Sequence, residues 1–95
     1  MLLTHNLNSY LNKNILLTDL CRYYNIGLEL HGNKFFAYCP FHEDSALSFV
    51  IFPKENLWKC RCGKGNIINF VMKIEGISFK NAVKKIEHLI LERTH

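Results

Sequence analysis

Cys39-Pro40-Phe41-His42, followed after a β-prone run by Cys60-Arg61-Cys62-Gly63, is the stretch that decides how this chain folds. Three thiolates and one imidazole make a full tetrahedral ligand set for zinc, with every position filled by protein and none left for water or substrate. Such an ion is structural. The two ligand pairs sit in separate turns, so one metal at Cys39, His42, Cys60 and Cys62 would tie together the ends of a small antiparallel sheet, as in a zinc ribbon. Should Cys62 not reach the ion, His31 or His5 could stand in, although neither has a spacing that recommends it. Function then has to be sought on the surfaces that the ion organises.

At 95 residues the chain is expected to form one domain, spanning 1–95, near the size below which a core needs a staple. Structural zinc binds with roughly 10–16 kcal/mol in small modules, comparable to the ~5–15 kcal/mol net stability of a whole domain. Folding is therefore expected to depend on the metal. Two disulfides are the competing use of four cysteines, but residues 1–6 carry no basic region, apolar run or cleavage site of a secretory signal. No apolar stretch is long enough to cross a bilayer. The expected location is cytoplasmic, with no membrane partner, where paired cysteines serve as metal ligands more often than as disulfides. Cys21, among Leu17, Leu20 and Tyr24, reads as a small buried hydrophobe.

Outward from the ligand pairs, the pattern implies an α+β fold. Three strands are expected, Lys34 to Cys39, Leu47 to Phe52 and Asn56 to Cys60, with Pro53-Lys54-Glu55-Asn56 as the hairpin between the last two. Side chains alternate across a strand, so Phe36 and Tyr38 share one face, Phe35 and Ala37 the other, and Phe49 and Ile51 oppose Val50 and Phe52. Gly63-Lys64-Gly65 reads as the knuckle turn. Before the sheet, Leu3, Leu7 and Leu11 and then Leu16, Leu17, Leu20, Tyr23 and Tyr24 mark helices broken near Asn12 and Asn14 and stopped at Asn25-Ile26-Gly27. After it, Asn66 caps a buried helix that ends at Gly76, and Ser78 caps an amphipathic one. The expectation is a zinc-ribbon-like three-stranded antiparallel sheet with N-terminal helices and two C-terminal helices.

In this order the chain resembles the zinc-binding domain of bacterial DnaG-type primases, the CHC2 family. The resemblance rests on Gly32-Asn33-Lys34-Phe35-Phe36 leading into Cys39-Pro40-Phe41-His42-Glu43-Asp44, then Ser48-Phe49-Val50 and Trp58-Lys59-Cys60. Gly63-Lys64-Gly65-Asn66 and Phe70-Val71-Met72-Lys73-Ile74-Glu75-Gly76-Ile77-Ser78-Phe79 follow, with Ala82-Val83 after them. It covers about residues 15 to 91 and leaves 1–14 as an N-terminal extension. The chain departs from the family in three places: Cys60-Arg61-Cys62 replaces a Cys-x-x-Cys knuckle, Leu47 stands where the family has proline, and a full primase would continue into further domains.

The resemblance implies a zinc-binding accessory subunit of a primase or priming DNA polymerase, holding single-stranded DNA template while a separate catalytic subunit makes the primer. A helicase is a further candidate partner. Single strands are held by aromatic platforms within basic grooves, and Lys34, Phe36, Tyr38, Phe49, Trp58, Lys59, Arg61 and Lys64 come from the strands and knuckle that could form one. The formal charge of +4 fits an anionic partner and falls by only about one when three thiolates hold a divalent ion. Catalysis by this chain alone is not expected: nucleotidyl transfer needs clustered carboxylates for metal ions, and Asp19 and Asp44 are the only aspartates. Two other roles compete, a protein-interaction module that regulates a replication protein without touching DNA, and a sequence-specific DNA-binding regulator, for which no recognition helix is visible. Frequent Asn, Ile and Lys suits an AT-rich bacterial genome, phage or mobile element.

Overall fold

The computed structural model describes residues 10–43 and 46–93. Leu3, Leu7, His5, Asp44 and most of the 1–14 extension lie outside them. Five short strands pair in chain order into one antiparallel sheet: β1 Glu29–His31, β2 Lys34–Ala37, β3 Phe49–Phe52, β4 Leu57–Cys60 and β5 Gly63–Gly65. The three expected strands are its centre, each one or two residues shorter than the sequence suggested, and an edge strand has been added on either side. Both additions lack the usual side-chain signal. All three residues of β1 are exposed, and β5 is Gly-Lys-Gly.

The turns explain the register. Gly32, with φ of 65°, lets a two-residue turn join His31 to its partner Lys34. Asn56 takes the left-handed conformation, φ 57°, and closes the four-residue turn between the paired Phe52 and Leu57. The third turn holds the correction: Cys60 pairs with Gly63, so Arg61 and Cys62 alone form the knuckle turn, and Gly63-Lys64-Gly65 runs back beside β4 as a strand. A spacer of one residue between the two cysteines is what a two-residue hairpin turn allows.

Four helices pack on the sheet: residues 10–14 (α1), Leu17–Tyr23 (α2), Ile67–Glu75 (α3) and Phe79–Arg93 (α4). Their boundaries follow from capping. Asn66 accepts hydrogen bonds from the backbone N–H groups of Ile68 at 3.0 Å and Asn69 at 3.1 Å, and Gly76 ends α3 in the left-handed conformation. Ser78 Oγ accepts from the N–H of Asn81, and Asn25, φ 60°, turns the chain out of α2. At the start of α2 the cap comes from far away in sequence. Buried Asn56 accepts from the N–H of Leu17 at 2.7 Å and donates to the carbonyls of Ile15 and Asn12 at 3.0 and 3.3 Å, so one amide ties the β3–β4 turn to the α1–α2 junction.

The core lies between the helices and one face of the sheet. Ala37, Phe49, Ile51 and Trp58 point into it, where Leu11, Leu17, Leu20, Ile67, Phe70 and Ile86 are fully buried. Of the N-terminal apolar stripe, Leu11, Leu17 and Leu20 are internal core while Leu16 and Tyr23 are about half exposed, and most of the α4 stripe is internal. Cys21 is buried with them, and burial pushes its thiol up to about 12. On the rim of the helices, Tyr24 Oη donates to Glu75 Oε2 at 2.6 Å, and Lys85 Nζ lies 3.3 Å from the same oxygen, linking α2, α3 and α4.

Candidate metal centre and nucleic-acid interface

β2 and β4 each run antiparallel to β3, so they run parallel to one another and end on the same side of the sheet. Cys39 follows the end of β2 and Cys60 closes β4; alternation turns both side chains to the buried face. Cys62, in the exposed knuckle turn, reaches back to them. The three sulfurs converge: Cys39 Sγ lies 3.4 Å from Cys60 Sγ and 3.7 Å from Cys62 Sγ, and Cys60 and Cys62 are 2.8 Å apart. Sulfurs held tetrahedrally at ~2.3 Å from zinc would be ~3.8 Å apart. Two of the three separations approach that distance, and the Cys60–Cys62 pair is closer, at 2.8 Å.

The donor set fits a zinc ion. His42 Nδ1 lies 3.3 Å from Cys39 Sγ, while the group whose donor atoms all lie within 4.8 Å of one another consists, among the described residues, of the three sulfurs. Burial, then the hydrogen bond its own S–H makes to Cys62 Sγ, holds the Cys60 thiol above its ordinary range, while the Cys62 N–H points at Cys60 Sγ from 3.4 Å, an outer-shell contact that favours the thiolate. His31 does not join: it sits on the β1–β2 hairpin at the opposite end of the sheet, 3.1 Å from Glu29 Oε1.

What fastens the first ligand pair is a residue between its members. Phe41 stands with Phe49, Trp58 and Phe70 in one aromatic cluster, its ring 5.1 Å from Trp58 and 5.7 Å from Phe70. Aromatic pairs of this kind contribute about 0.5–1.5 kcal/mol each beyond area burial. Nothing in the spacing of Cys39-Pro40-Phe41-His42 distinguished Phe41 as an anchor. Lys73 Nζ lies over the same ring at 5.5 Å.

The structure divides the eight residues proposed to meet nucleic acid. Phe49 and Trp58 are 0% and 1% exposed, and Trp58 Nε1 donates to the carbonyl of Asn66 at 3.0 Å. Buried in the core, they cannot act as stacking platforms, and on this point the sequence expectation is corrected. The helices cover the face that carries Phe49 and Trp58, which alternation alone could not foresee. The rest are accessible. Glu29, Phe36, Val50, Lys59 and Lys64 form one cross-strand row on the opposite face, with Phe36 half-buried and both lysines exposed. Lys34 Nζ lies 5.5 Å from the Phe52 ring on that face, Tyr38 is 56% exposed, and Arg61 is exposed in the knuckle turn. No helix among the described residues is long and apolar enough to cross a membrane.

Comparison with known proteins points the same way. The CHC2 zinc finger profile matches residues 3–93. A DNA primase of Mycoplasma genitalium is 36% identical over 75 residues, covering 77% of this chain and 12% of that primase. The DNA primase of Enterococcus faecalis is 38% identical over 72 residues, again 12% of its length. In structure, 88% of the chain superposes with a TM-score of 0.79 and 30% identity on 21% of an Aquifex aeolicus primase chain solved as its zinc-binding and RNA polymerase domains. The chain thus spans about one-eighth of the curated relatives it matches. The zinc finger profile and the thiol cluster agree on a structural zinc ion. With almost its whole length matched, the ligand cysteines converging and the fold shared with a primase, the chain belongs to the CHC2 zinc finger family of DnaG-type primases.

Proposed function

We propose that this protein is a single-domain, non-catalytic zinc subunit in primer synthesis. Cys39, His42, Cys60 and Cys62 hold the zinc; the open sheet face holds single-stranded DNA template; and a separate primase or polymerase subunit supplies the active site in the cytoplasm. The observation that carries the template role is the Lys59–Lys64 pair. These two lysines lie directly opposite one another on β4 and β5, an arrangement that destabilises a sheet. The described ion pairs give neither an acidic partner. A phosphate backbone would relieve that repulsion, and Lys34, Arg61, Phe36 and Tyr38 extend the same surface with charge and rings, as single-strand sites require.

The docking role is supported on the helical side. Tyr23, about half exposed, lines a groove with Ile15, Leu20 and Leu89 and the charged Asp19, Arg22 and Glu92, and Leu16 and Leu91 are exposed elsewhere on the helices.

Titration of labelled single and double strands at two salt concentrations tests the template role. Salt-sensitive preference for the single strand is the expected result. No binding at low salt would remove that role and leave a protein-interaction module acting through the helical surface.

A further inference from the structure

Among the described residues the sheet has two edge strands, β1 and β5, and they differ. Native edges are commonly blunted by lysine, proline or a covering element. β5 has Lys64 at its centre, whereas β1 has Leu30. Leu30 pairs with Phe35, Phe35 with Ile51 and Ile51 with Trp58, so its side chain stands on the helical face. Ile51 and Trp58 are each 1% exposed there, but Leu30 is 62% exposed: the helical cover ends before it reaches this edge. The backbone of Leu30 is equally open. His31 and Lys34 flank a two-residue turn and pair with each other, which directs their N–H and C=O groups into the ladder and those of Leu30, one residue earlier, out of it. Among the described residues no loop or cap hydrogen bond reaches Leu30.

A second copy of β1 complements this edge. Antiparallel pairing about a two-fold axis at Leu30 sets Leu30 against Leu30 of the second copy, joined by two backbone hydrogen bonds. It also sets Glu29 against His31, twice, at the positions where facing side chains lie closest. Within one chain Glu29 Oε1 already lies 3.1 Å from His31 Nε2, so in the pair two carboxylates and two imidazoles alternate in one cluster. Opposite partners of this kind stabilise a ladder. One position further out Leu28 meets Gly32, which has no side chain to obstruct it. Pairings that use the other edge have no such match: a two-fold at Lys64 opposes two lysines, and β1 against β5 opposes Leu30 to Lys64. We propose that the protein pairs with a second copy of itself through β1. The two five-stranded sheets then form one continuous sheet, closed by its two-fold axis, with both open faces on the same side. Three residues on each side make a small contact, so the dimer is a weak one that forms at high concentration. This surface is separate from the helical groove, and the pairing does not depend on the template role.

The test uses the full chain with zinc bound and no DNA, in sedimentation equilibrium from about 10 μM to 1 mM, the span over which small interfaces dissociate. The mass should rise from one chain to two and go no further. Glu29→Arg sets a guanidinium against an imidazole, and His31→Glu sets two carboxylates against each other; each alone should weaken pairing by about tenfold or more. Mixed in equal amounts, the two variants should pair with each other as the wild type does, since every facing pair is then complementary. Leu30→Pro deletes the outward N–H without touching the β1–β2 ladder, and edge strands tolerate proline; it should remain a single chain with an unchanged circular dichroism spectrum. If that variant does not fold, the mixing experiment decides alone. A single-chain mass up to the highest concentration would overturn the proposal. So would a dimer that neither charge variant weakens, or a mass that keeps rising past two chains, as an open filament would.

Discussion

Alternate residues of the same strands send Phe49, Ile51 and Trp58 to one face of the sheet and Phe36, Val50 and Lys59 to the other, and the two faces are built for different ends. The helical face is sealed, with three of its large side chains at most 1% exposed. The open face keeps two lysines opposite one another with no acidic neighbour among the described ion pairs. Stability is concentrated on one side of the sheet, and on the other the proposed template phosphates would make the lysine arrangement favourable. The thiol cluster lies at the end of the sheet where β2, β4 and the knuckle meet, and it supports both faces together.

Removing the metal should therefore erase the difference between the faces. Chelation at neutral pH is expected to unfold the protein cooperatively, because ~10–16 kcal/mol of metal binding is of the same order as the whole stability; circular dichroism would follow it. Metal analysis should find one zinc per chain, and Cys62→Ser should bind it markedly less tightly. Next in size, Trp58→Ala or Phe49→Ala should destabilise by about 3–5 kcal/mol, read by denaturant melts. Asn56→Ala should cost about 1–3 kcal/mol, since it leaves the Leu17 N–H and the carbonyls near α1 without their partner. On the open face, the triple replacement of Lys59, Arg61 and Lys64 by alanine should change stability by no more than ~0.5 kcal/mol.

The smallest effect lies on the helical rim. The Tyr24 hydroxyl, and then Lys85, hold the Glu75 carboxyl below its ordinary 4.5. A depressed folded-state value means that this contribution is present above about pH 4.5 and is lost as pH falls through the lower folded value. Glu75→Gln should remove that part of the acid sensitivity, as seen in melts between about pH 3 and 6.

The three converging cysteines were legible because coordination demands particular residue types at short spacings, and Asn66, Gly76 and Ser78 announced their helix ends for similarly local reasons. The edge strands were not. β5 has no side-chain pattern, and it forms because its backbone pairs with β4 above the Trp58 ring, which lies 3.9 Å from where a Cβ on Gly63 would be. Alternation told which aromatics share a face, but only the placement of the helices decided that Phe49 and Trp58 go inside while Phe36 and Tyr38 stay accessible. The Asn56 latch spans about forty positions and the Phe41 anchor depends on Phe70, so neither leaves a local signature.

The most direct test of the central claim is the affinity of a labelled single strand for the wild type and for the Lys59, Arg61 and Lys64 triple-alanine variant, at about 50 and 200 mM salt. The wild type should bind at the lower salt and weaken steeply at the higher. The variant, equally folded, should bind at least tenfold more weakly with a shallower salt dependence. Equal binding by both proteins, or none by the wild type at the lower salt, would contradict a template role for the open face.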